Sequence, residues 1–415
     1  MHPFTVLFAA LLVAGLALRL WLLGRQIRAV AASRDRVPAE FSGAISGAQH
    51  AKAADYTIAL AGLSRLHAVF DAGLLSLLTI GGGIAWMDSA IAGSGLSGLV
   101  RGIAVIAAAT FLLAILDLPF SVWRTFSIES RFGFNRTTPA LFALDYLKGL
   151  AISAVILGPL VALLLWLFGR AGGDWWWWAW SAWAAFSLLI SWAWPRLIAP
   201  LFNKFRELPD GDLRAGVIGL ARRCGFEPNG VFVMDGSRRS AHGNAYFTGL
   251  GKAKRIVFFD TLLDALAPGE VEAILAHELG HFRLRHVTWR IAWSLTASFA
   301  GFALLAWLAG EQWFQPALGV ADGGAHTLFL LFVLAAPVFL LPAGPLAAWL
   351  SRRHEYAADA FAARHTDATA LSSALVKLYR DNATTLTPDR LYTAFHATHP
   401  PAIDRIGRLA ARTSG

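Results

Sequence analysis

The pattern with the clearest chemical meaning in this chain is His277-Glu-Leu-Gly-His281. On a helix, two histidines four residues apart lie on one face about a turn apart, so both imidazoles can reach a single metal ion. Glu278, between them, can polarise a water molecule held at an open position of that ion. These residue types at this spacing suit hydrolysis of an amide bond. Because the five-residue pattern also occurs by chance, the rest of the chain must support it.

A catalytic zinc site needs a third protein ligand, and its position in the sequence separates the classes of metallopeptidase. The pattern HExxHxxGxxH is excluded, because Leu284 and Val287 stand where it requires Gly and His. Further along, Glu355 and Asp359 lie one helical turn apart. Glu355 can complete a site of two histidines and one glutamate, and Asp359 can accept the other ring N–H of a ligand histidine. The alternative is a solvated helix end with a few charges.

Together with these residues, several segments resemble the type I CAAX prenyl endopeptidases, which are membrane zinc metallopeptidases of the gluzincin kind. The resemblance runs in order over nearly the whole chain and implies helices that enclose a large water-filled chamber in the membrane. The smaller heat-shock membrane proteases share the zinc motif but resemble the N-terminal half less. The further matching segments are Arg131-Phe-Gly-Phe-Asn-Arg136, Pro200-Leu-Phe-Asn-Lys204, Asp235-Gly-Ser-Arg-Arg-Ser240, His242-Gly-Asn-Ala-Tyr-Phe247, Arg255-Ile-Val-Phe-Phe-Asp-Thr-Leu262 and His399-Pro-Pro401.

The resemblance implies a role for each residue of the two motifs. His277, His281 and Glu355 would bind one Zn²⁺ per chain, and Glu278 would be the general base. Asp359 would contact a ligand histidine from outside the coordination shell. A zinc endopeptidase acting on a peptide or protein substrate, with or without a lipid modification, is therefore the expected function.

Two further positions carry expectations about the substrate. The strand around Asn244 would lie along the cleft and pair with an extended substrate backbone, as an exposed edge strand can. His399 would stand near the cleft and steady the tetrahedral oxyanion. The alternative for His399 is a structural residue where a helix begins after two prolines. We expect His242 and His286 to be mainly structural.

The elements that must position these side chains can also be predicted. Pro268 at a first helical position, with Glu270 close behind, opens a helix that runs to about Arg285 and carries the two histidines. Before it, 212–223 is helical in pattern and 231–234 is typical of a short strand. A hairpin is predicted from a strand beginning at Asn244, a turn at Gly251-Lys252 and a strand over 255–259.

Apolar runs of about 20 residues predict seven membrane-spanning helices, the first of them a retained anchor. The fold class is therefore mainly α: a seven-transmembrane-helix bundle enclosing a chamber, with a small cytoplasmic α+β zinc metalloprotease domain. We expect residues 1–198 to form an N-terminal membrane domain with five spans, and 199–415 to form the zinc metallopeptidase domain including spans six and seven. The predicted spans lie at 3–23, 66–86, 99–118, 150–168, 175–194, 288–310 and 327–350.

Composition agrees with a membrane protein: of 415 residues 56% are hydrophobic and 15% charged, and the mean hydropathy is +0.52. The connections 24–65 and 119–149 hold six and four Lys or Arg, whereas 87–98 and 311–326 hold none. Since cytoplasmic loops collect positive charge, we expect the N-terminus outside and both polar domains inside. The net charge of +9 then reflects topology and membrane lipids, and we expect no nucleic-acid partner.

Several questions stay open at this point. The active site should face the cytoplasm from the bacterial inner membrane, with the endoplasmic reticulum membrane as the alternative. The substrate could be a CAAX-type peptide, or the protein could act in quality control of membrane proteins. A transporter or channel with a structural zinc site is the rival from another class, although such a site usually has four protein ligands. His67, Asp71 and Asp117, inside the predicted spans, could line the chamber or pair between helices.

Overall fold

The computed structural model describes residues 1–248 and 255–413. Helices dominate this part of the chain, and a small sheet precedes the helix of the His277 motif. The strands β1–β4 are Phe205–Glu207, Val231–Met234, Ala245–Thr248 and Arg255–Phe259. The helices α1–α17 are Pro3–Ala32, Gly47–Leu78, Gly83–Ala92, Gly98–Trp123, Pro139–Arg170, Trp175–Ala193, Ala199–Phe202, Asp212–Arg223, Asp260–Ala265, Pro268–Arg283, His286–Ala309, Phe314–Ala317, Ala325–Leu340, Gly344–His365, Ala368–Asp381, Arg390–His396 and Ala402–Thr413.

Within the described residues, seven helical segments are long and apolar enough to cross a membrane, which confirms the predicted number. Three of them are composite: a π stretch extends α4 to Glu129, a second π stretch joins α6 to α7, and a 3₁₀ stretch joins α13 to α14. The seven segments are Pro3–Ala32, Gly47–Leu78, Gly98–Glu129, Pro139–Arg170, Gly172–Phe202, His286–Ala309 and Ala325–His365.

The second span differs from its predicted bounds of 66–86. The helix begins at Gly47, where the Ser46 side chain accepts a hydrogen bond from the N–H of Gln49 and the Gln49 side chain returns one to Ser46. It ends at Leu78, and Gly82 takes a left-handed conformation with φ of 75° before α3 begins. Hydropathy registers only the apolar part of a helix, whereas capping and glycine geometry set its ends.

Polar side chains of three spans pair with one another. His67 Nε2 on α2 lies 3.2 Å from Asp71 Oδ1 and 2.9 Å from Asp117 Oδ1 on α4. Arg19 Nη1 on α1 lies 3.8 Å from Asp71 Oδ2. These four side chains remain 31% to 51% exposed, so they pair between helices and also face open space. The spans bury few residues, between 11% and 22% of each apolar window.

The four strands form one sheet in the order β1-β2-β4-β3. β1 is antiparallel to β2, β2 is parallel to β4, and β3 is antiparallel to β4. The strands at 231–234 and 255–259 have the predicted bounds, and β3 begins at Ala245, one residue after the predicted start at Asn244. The predicted turn at Gly251-Lys252 lies outside the described residues. β3 is the last strand of the sheet, so one of its sides is an edge.

The core of the polar part lies between this sheet and α8, α10 and α15. α10 sits at its centre, because Ile274, Leu275 and Leu279 are all buried there against Phe258 and Leu371. Each such side chain stabilises the fold by roughly 1.5–3 kcal/mol relative to exposure. The helix that carries the histidines is thus fixed by packing on most of its surface.

Candidate metal centre

The start of α10 is anchored on the neighbouring helix α15 through Glu270. Its carboxylate accepts hydrogen bonds from the N–H of Ala267 at 2.8 Å, from Ser373 Oγ at 2.6 Å and from Lys377 Nζ at 2.7 Å. Burial raises the pKa of Glu270, but these donors outweigh it and hold the pKa below its ordinary value. Together with Pro268 at the first helical position, these contacts fix the entrance of the helix.

The end of α10 lies unusually close to α14. A Cβ atom at Gly280 would lie 3.1 Å from the Cβ of Phe361 and 3.2 Å from the Cα of Ala358. A residue larger than glycine would require one of the two helices to shift by a few tenths of an ångström. The close approach sets the carboxylates of α14 opposite the histidines of α10.

The three predicted ligands come together at this contact. Nε2 of His277 lies 3.2 Å from Nε2 of His281 and 3.5 Å from Oε2 of Glu355, and Nε2 of His281 lies 3.2 Å from Oε1 of Glu355. Ligands about 2.0–2.1 Å from a tetrahedral zinc ion are about 3.3 Å apart, so all three separations fit one such ion. Among the described residues, this is the only group of three His, Cys, Asp or Glu side chains arranged to hold a metal.

The carboxylate of Glu355 is incompletely satisfied without a cation. Its Oε2 atom is buried and has no hydrogen bond of good geometry, although the ring nitrogens of two histidines lie near it. His399 Nδ1 lies 2.8 Å from that oxygen, and the His399 side chain is 67% exposed. A buried carboxylate oxygen without a well-formed hydrogen bond is costly unless a cation is bound, so the residues fit a divalent metal. The position of His399 at the open side of the centre leaves its ring available to a substrate.

Asp359 contacts the metal-ligand candidate His277 as the spacing predicts. Its Oδ1 lies 2.8 Å from Nδ1 of His277, so an N–H there donates to the carboxylate and Nε2 keeps its lone pair for a metal. Burial lowers the pKa of His277, but the neighbouring carboxylates of Asp359 and Glu355 outweigh it and raise the pKa to about 9. Near neutral pH and without a metal, the raised pKa favours a second proton on the ring, which a metal at Nε2 would displace.

Arg405, on α17, is a part of the centre that sequence reasoning missed. The side chain is 6% exposed, and its Nε and Nη2 donate to the two oxygens of Asp359 at 2.8 and 2.5 Å. One signal was available, since Arg405 shares a helix face with Ala402, Ile406 and Leu409, which are apolar. A cation on the apolar face of a helix needs a buried partner, but the sequence does not say which one.

A pair of histidines lies behind the second ligand candidate. Nδ1 of His281 is 3.1 Å from Nδ1 of His286, and the His286 ring stacks on His354 with the ring centres 4.0 Å apart. His286 was expected to be mainly structural, and its contact with His281 makes it a support for that ring's orientation. The spacing of the three histidines in the sequence gives no sign of this stacking.

Glu278 interacts electrostatically with the residues of the same centre. Burial raises its pKa, the charges of His277 and His281 lower it, and the charge of Glu355 raises it, with a net rise. A carboxylate with a raised pKa is the better proton acceptor, which suits a general base near neutral pH.

Asn244 immediately precedes the edge strand β3. Its exposed side chain accepts a hydrogen bond from the N–H of Ala245 through Oδ1, at 2.8 Å. Further along the strand, the ring of Phe247 packs against Phe282 with centroids 5.0 Å apart, next to His281 on α10. The edge strand therefore lies alongside the helix that carries the histidines.

Seven membrane-spanning helices and an HExxH helix facing a glutamate define a class of protein, the integral-membrane metallopeptidases. The chain belongs to peptidase family M48, which matches residues 207–413, and residues 26–204 match the family part described as CAAX prenyl protease N-terminal, five membrane helices. It is a multi-pass membrane metalloendopeptidase.

Relatives and one solved structure support this assignment over the full chain. A CAAX prenyl protease 1 homolog of Arabidopsis thaliana is 40% identical over 301 residues, which are 70% of this chain and 69% of the relative. One from Caenorhabditis elegans is 32% identical over 437 residues, covering 98% of each chain. The crystal structure of S. mikatae Ste24p has a TM-score of 0.89 at 28% identity and covers 99% of both chains.

Proposed function

We propose that the chain is a zinc endopeptidase with His277, His281 and Glu355 as ligands of one Zn²⁺ and Glu278 as the general base. The observation that carries this is the set of three ligand separations of 3.2–3.5 Å, all near the edge of a tetrahedron around zinc. Three protein ligands leave a fourth position for water or substrate, as in catalytic rather than structural sites.

In this proposal, each residue around the metal has a separate role in hydrolysis. Zinc bound there would act as a Lewis acid, which would polarise the scissile carbonyl and lower the pKa of the attacking water molecule. The Glu278 carboxylate accepts the proton of the attacking water and passes it to the leaving amine. Asp359 holds the tautomer of His277, and exposed His399 donates to the developing oxyanion.

The substrate class that we propose is a membrane-associated peptide of the CAAX type. It is supported by the relatives, whose names are CAAX prenyl protease 1 or its homologs. Asn244 and the edge strand β3 would hold the peptide in extended form beside α10. Cleavage of unmodified membrane proteins in quality control is the competing role of the same site.

We also propose that the metal centre faces the cytoplasm, since the Lys- and Arg-rich connections lie at the same ends of the spans as the centre. The membrane is that of a bacterial cell or of the endoplasmic reticulum. In this proposal residues 1–198 form the five-span membrane domain, and 199–415 form the peptidase domain with two spans.

The test is Glu278→Gln in purified protein with a fluorogenic CAAX-type peptide. Loss of the base lowers kcat by about 10²–10⁴-fold while one zinc per chain is retained, measured by metal analysis. Glu272→Gln, on the same helix six residues earlier, is the matched control and retains activity. A chelator stops cleavage by the unaltered protein. Undiminished cleavage by Glu278→Gln would refute the assignment.

A further inference from the structure

The backbone groups available at the free edge of β3 follow from the alternating direction of its N–H and C=O groups. In an antiparallel ladder, successive residues direct their N–H and C=O groups alternately to the partner strand and away from it. The N–H of Phe259 on β4 donates to the C=O of Asn244 at 3.0 Å, so Asn244 faces β4. Gly243, Ala245 and Phe247 therefore face the edge, where an extended peptide would pair.

At Gly243 this edge is already filled by a side chain. The N–H of Gly243 donates to Oδ1 of Asn382 at 3.0 Å, and Nδ2 of Asn382 donates to the C=O of Gly243 at 3.3 Å. The amide of Asn382 thus makes the same two hydrogen bonds that the backbone of an added strand would make. A peptide that pairs along the edge cannot use Gly243 while Asn382 is there.

Asn382 is held firmly in this place by the end of α15. Its N–H donates to the C=O of Leu378 at 3.0 Å, and the N–H of Thr384 donates to the C=O of Tyr379 at 2.9 Å. Between them Ala383, 3% exposed, takes a φ of 46°, which residues other than glycine rarely adopt. A residue in such a conformation persists only where the surrounding structure requires it.

The chain before Gly243 is fixed as well. Thr261 Oγ1 donates to the C=O of His242 at 3.0 Å, and the N–H of Ala241 donates to the C=O of Phe134 at 3.0 Å. Phe134 follows the third span, so the loop after that span supports the beginning of the strand. Gly243 consequently cannot shift away from Asn382 to expose its backbone groups.

We propose that Asn382 is a positioning residue that ends the substrate-binding edge at Gly243. An extended peptide then pairs with Ala245 and Phe247 and leaves the sheet beside Asn382, so the number of substrate residues held on that side is limited. The inference rests on the proposed endopeptidase function and adds to it a limit on the number of substrate residues that pair with the edge of β3. The Asn244 side chain, which covers the N–H of Ala245, moves aside as the peptide pairs.

The experiment uses the full-length, zinc-loaded protein and a nested series of peptides of one sequence, lengthened one residue at a time at each end. With the unaltered protein, KM falls with length and then stays constant once the peptide reaches Gly243. Asn382→Ala frees the two backbone groups, so one or two further residues lower KM by about threefold to tenfold, as expected for an added hydrogen bond. Asn382→Asp keeps the acceptor and loses the donor, and gives a smaller extension. Asn229→Ala, an exposed asparagine before β2, is the matched control.

The length at which KM becomes constant is a readout that general destabilisation does not move. The inference is overturned if Asn382→Ala and Asn229→Ala share the length dependence of the unaltered protein, whatever happens to kcat. If Asn382→Ala does not fold, the same comparison with Asn382→Asp decides. Absence of zinc-dependent cleavage by the unaltered protein would contradict the proposed function and, with it, this inference.

Discussion

Asp359 joins the first metal-ligand candidate to the last helix of the chain. It is 5% exposed, with His277 on one side and the guanidinium of Arg405 on the other. A buried carboxylate between two such partners keeps its charge because both donate to it. The orientation of one imidazole at the metal therefore depends on a residue on α17, far away in the sequence.

Asp359→Asn tests this dependence at the residue scale. The amide keeps the shape but has one acceptor oxygen and no charge, so His277 and Arg405 cannot both be satisfied. Zinc affinity, measured by competition with a chelator, falls by about 10- to 100-fold. Asp264→Asn, exposed on α9, retains the affinity. Equal affinities for the two variants would contradict the role of Asp359.

At the scale of elements, the contact between α10 and α14 makes the centre. Glu355 and the two histidines belong to different helices, and their separation is set by how closely those helices pack. Gly280 is the position that permits this approach, because a Cβ atom there would lie 3.2 Å from the Cα of Ala358. The second glycine of the same helix, Gly269, has open space where a Cβ would be.

Gly280→Ala is therefore expected to move α14 away from α10. Overpacking of this kind lowers the free energy of unfolding by about 1–3 kcal/mol. It also weakens zinc binding, because Glu355 is displaced from the histidines. Thermal unfolding and chelator competition measure the two effects. Gly269→Ala leaves both unchanged, and the account is wrong about the contact if Gly280→Ala behaves in the same way.

The sequence predicts elements well where local chemistry decides them. The helix at 268–283 follows from Pro268 and the spacing of its histidines, and the strands at 231–234 and 255–259 follow from their apolar runs. The beginning of α2 at Gly47 was missed, because a search for apolar runs does not detect the polar first turns of a helix. Arg405 and Asn382 were missed since their partners are 46 and 139 residues away in the chain. Long-range pairs of this kind leave no periodic pattern.

At the scale of the whole molecule, one chain contains seven spans and a polar peptidase part. The polar part runs from β1 to α10 and from the C-terminal half of α14, which carries Glu355, to α17. By chain order it lies at the ends of the spans where the basic connections also lie. The opposite ends carry α3, α12 and the tryptophan-rich start of α6, which suits a membrane interface. In our proposal, the charge pattern orients the molecule with the centre in the cytoplasm.

This orientation can be tested with single cysteines in a Cys224→Ser background. Ser94→Cys lies in the exposed connection after α3, and Asn229→Cys lies in the polar part near β2. In intact bacterial cells expressing the protein, a membrane-impermeant maleimide should label the cysteine at 94 and not that at 229. After the membrane is opened, both are labelled. The reverse pattern in intact cells would place the metal centre outside.

The central claim is that two histidines of one helix and a glutamate of another bind a single zinc ion. Anomalous diffraction at the zinc edge from crystals of the purified protein tests it most directly. The account predicts one peak per chain, about 2.0–2.1 Å from Nε2 of His277, Nε2 of His281 and an oxygen of Glu355. A peak elsewhere, or a Glu355 carboxylate turned away from the ion, would contradict it.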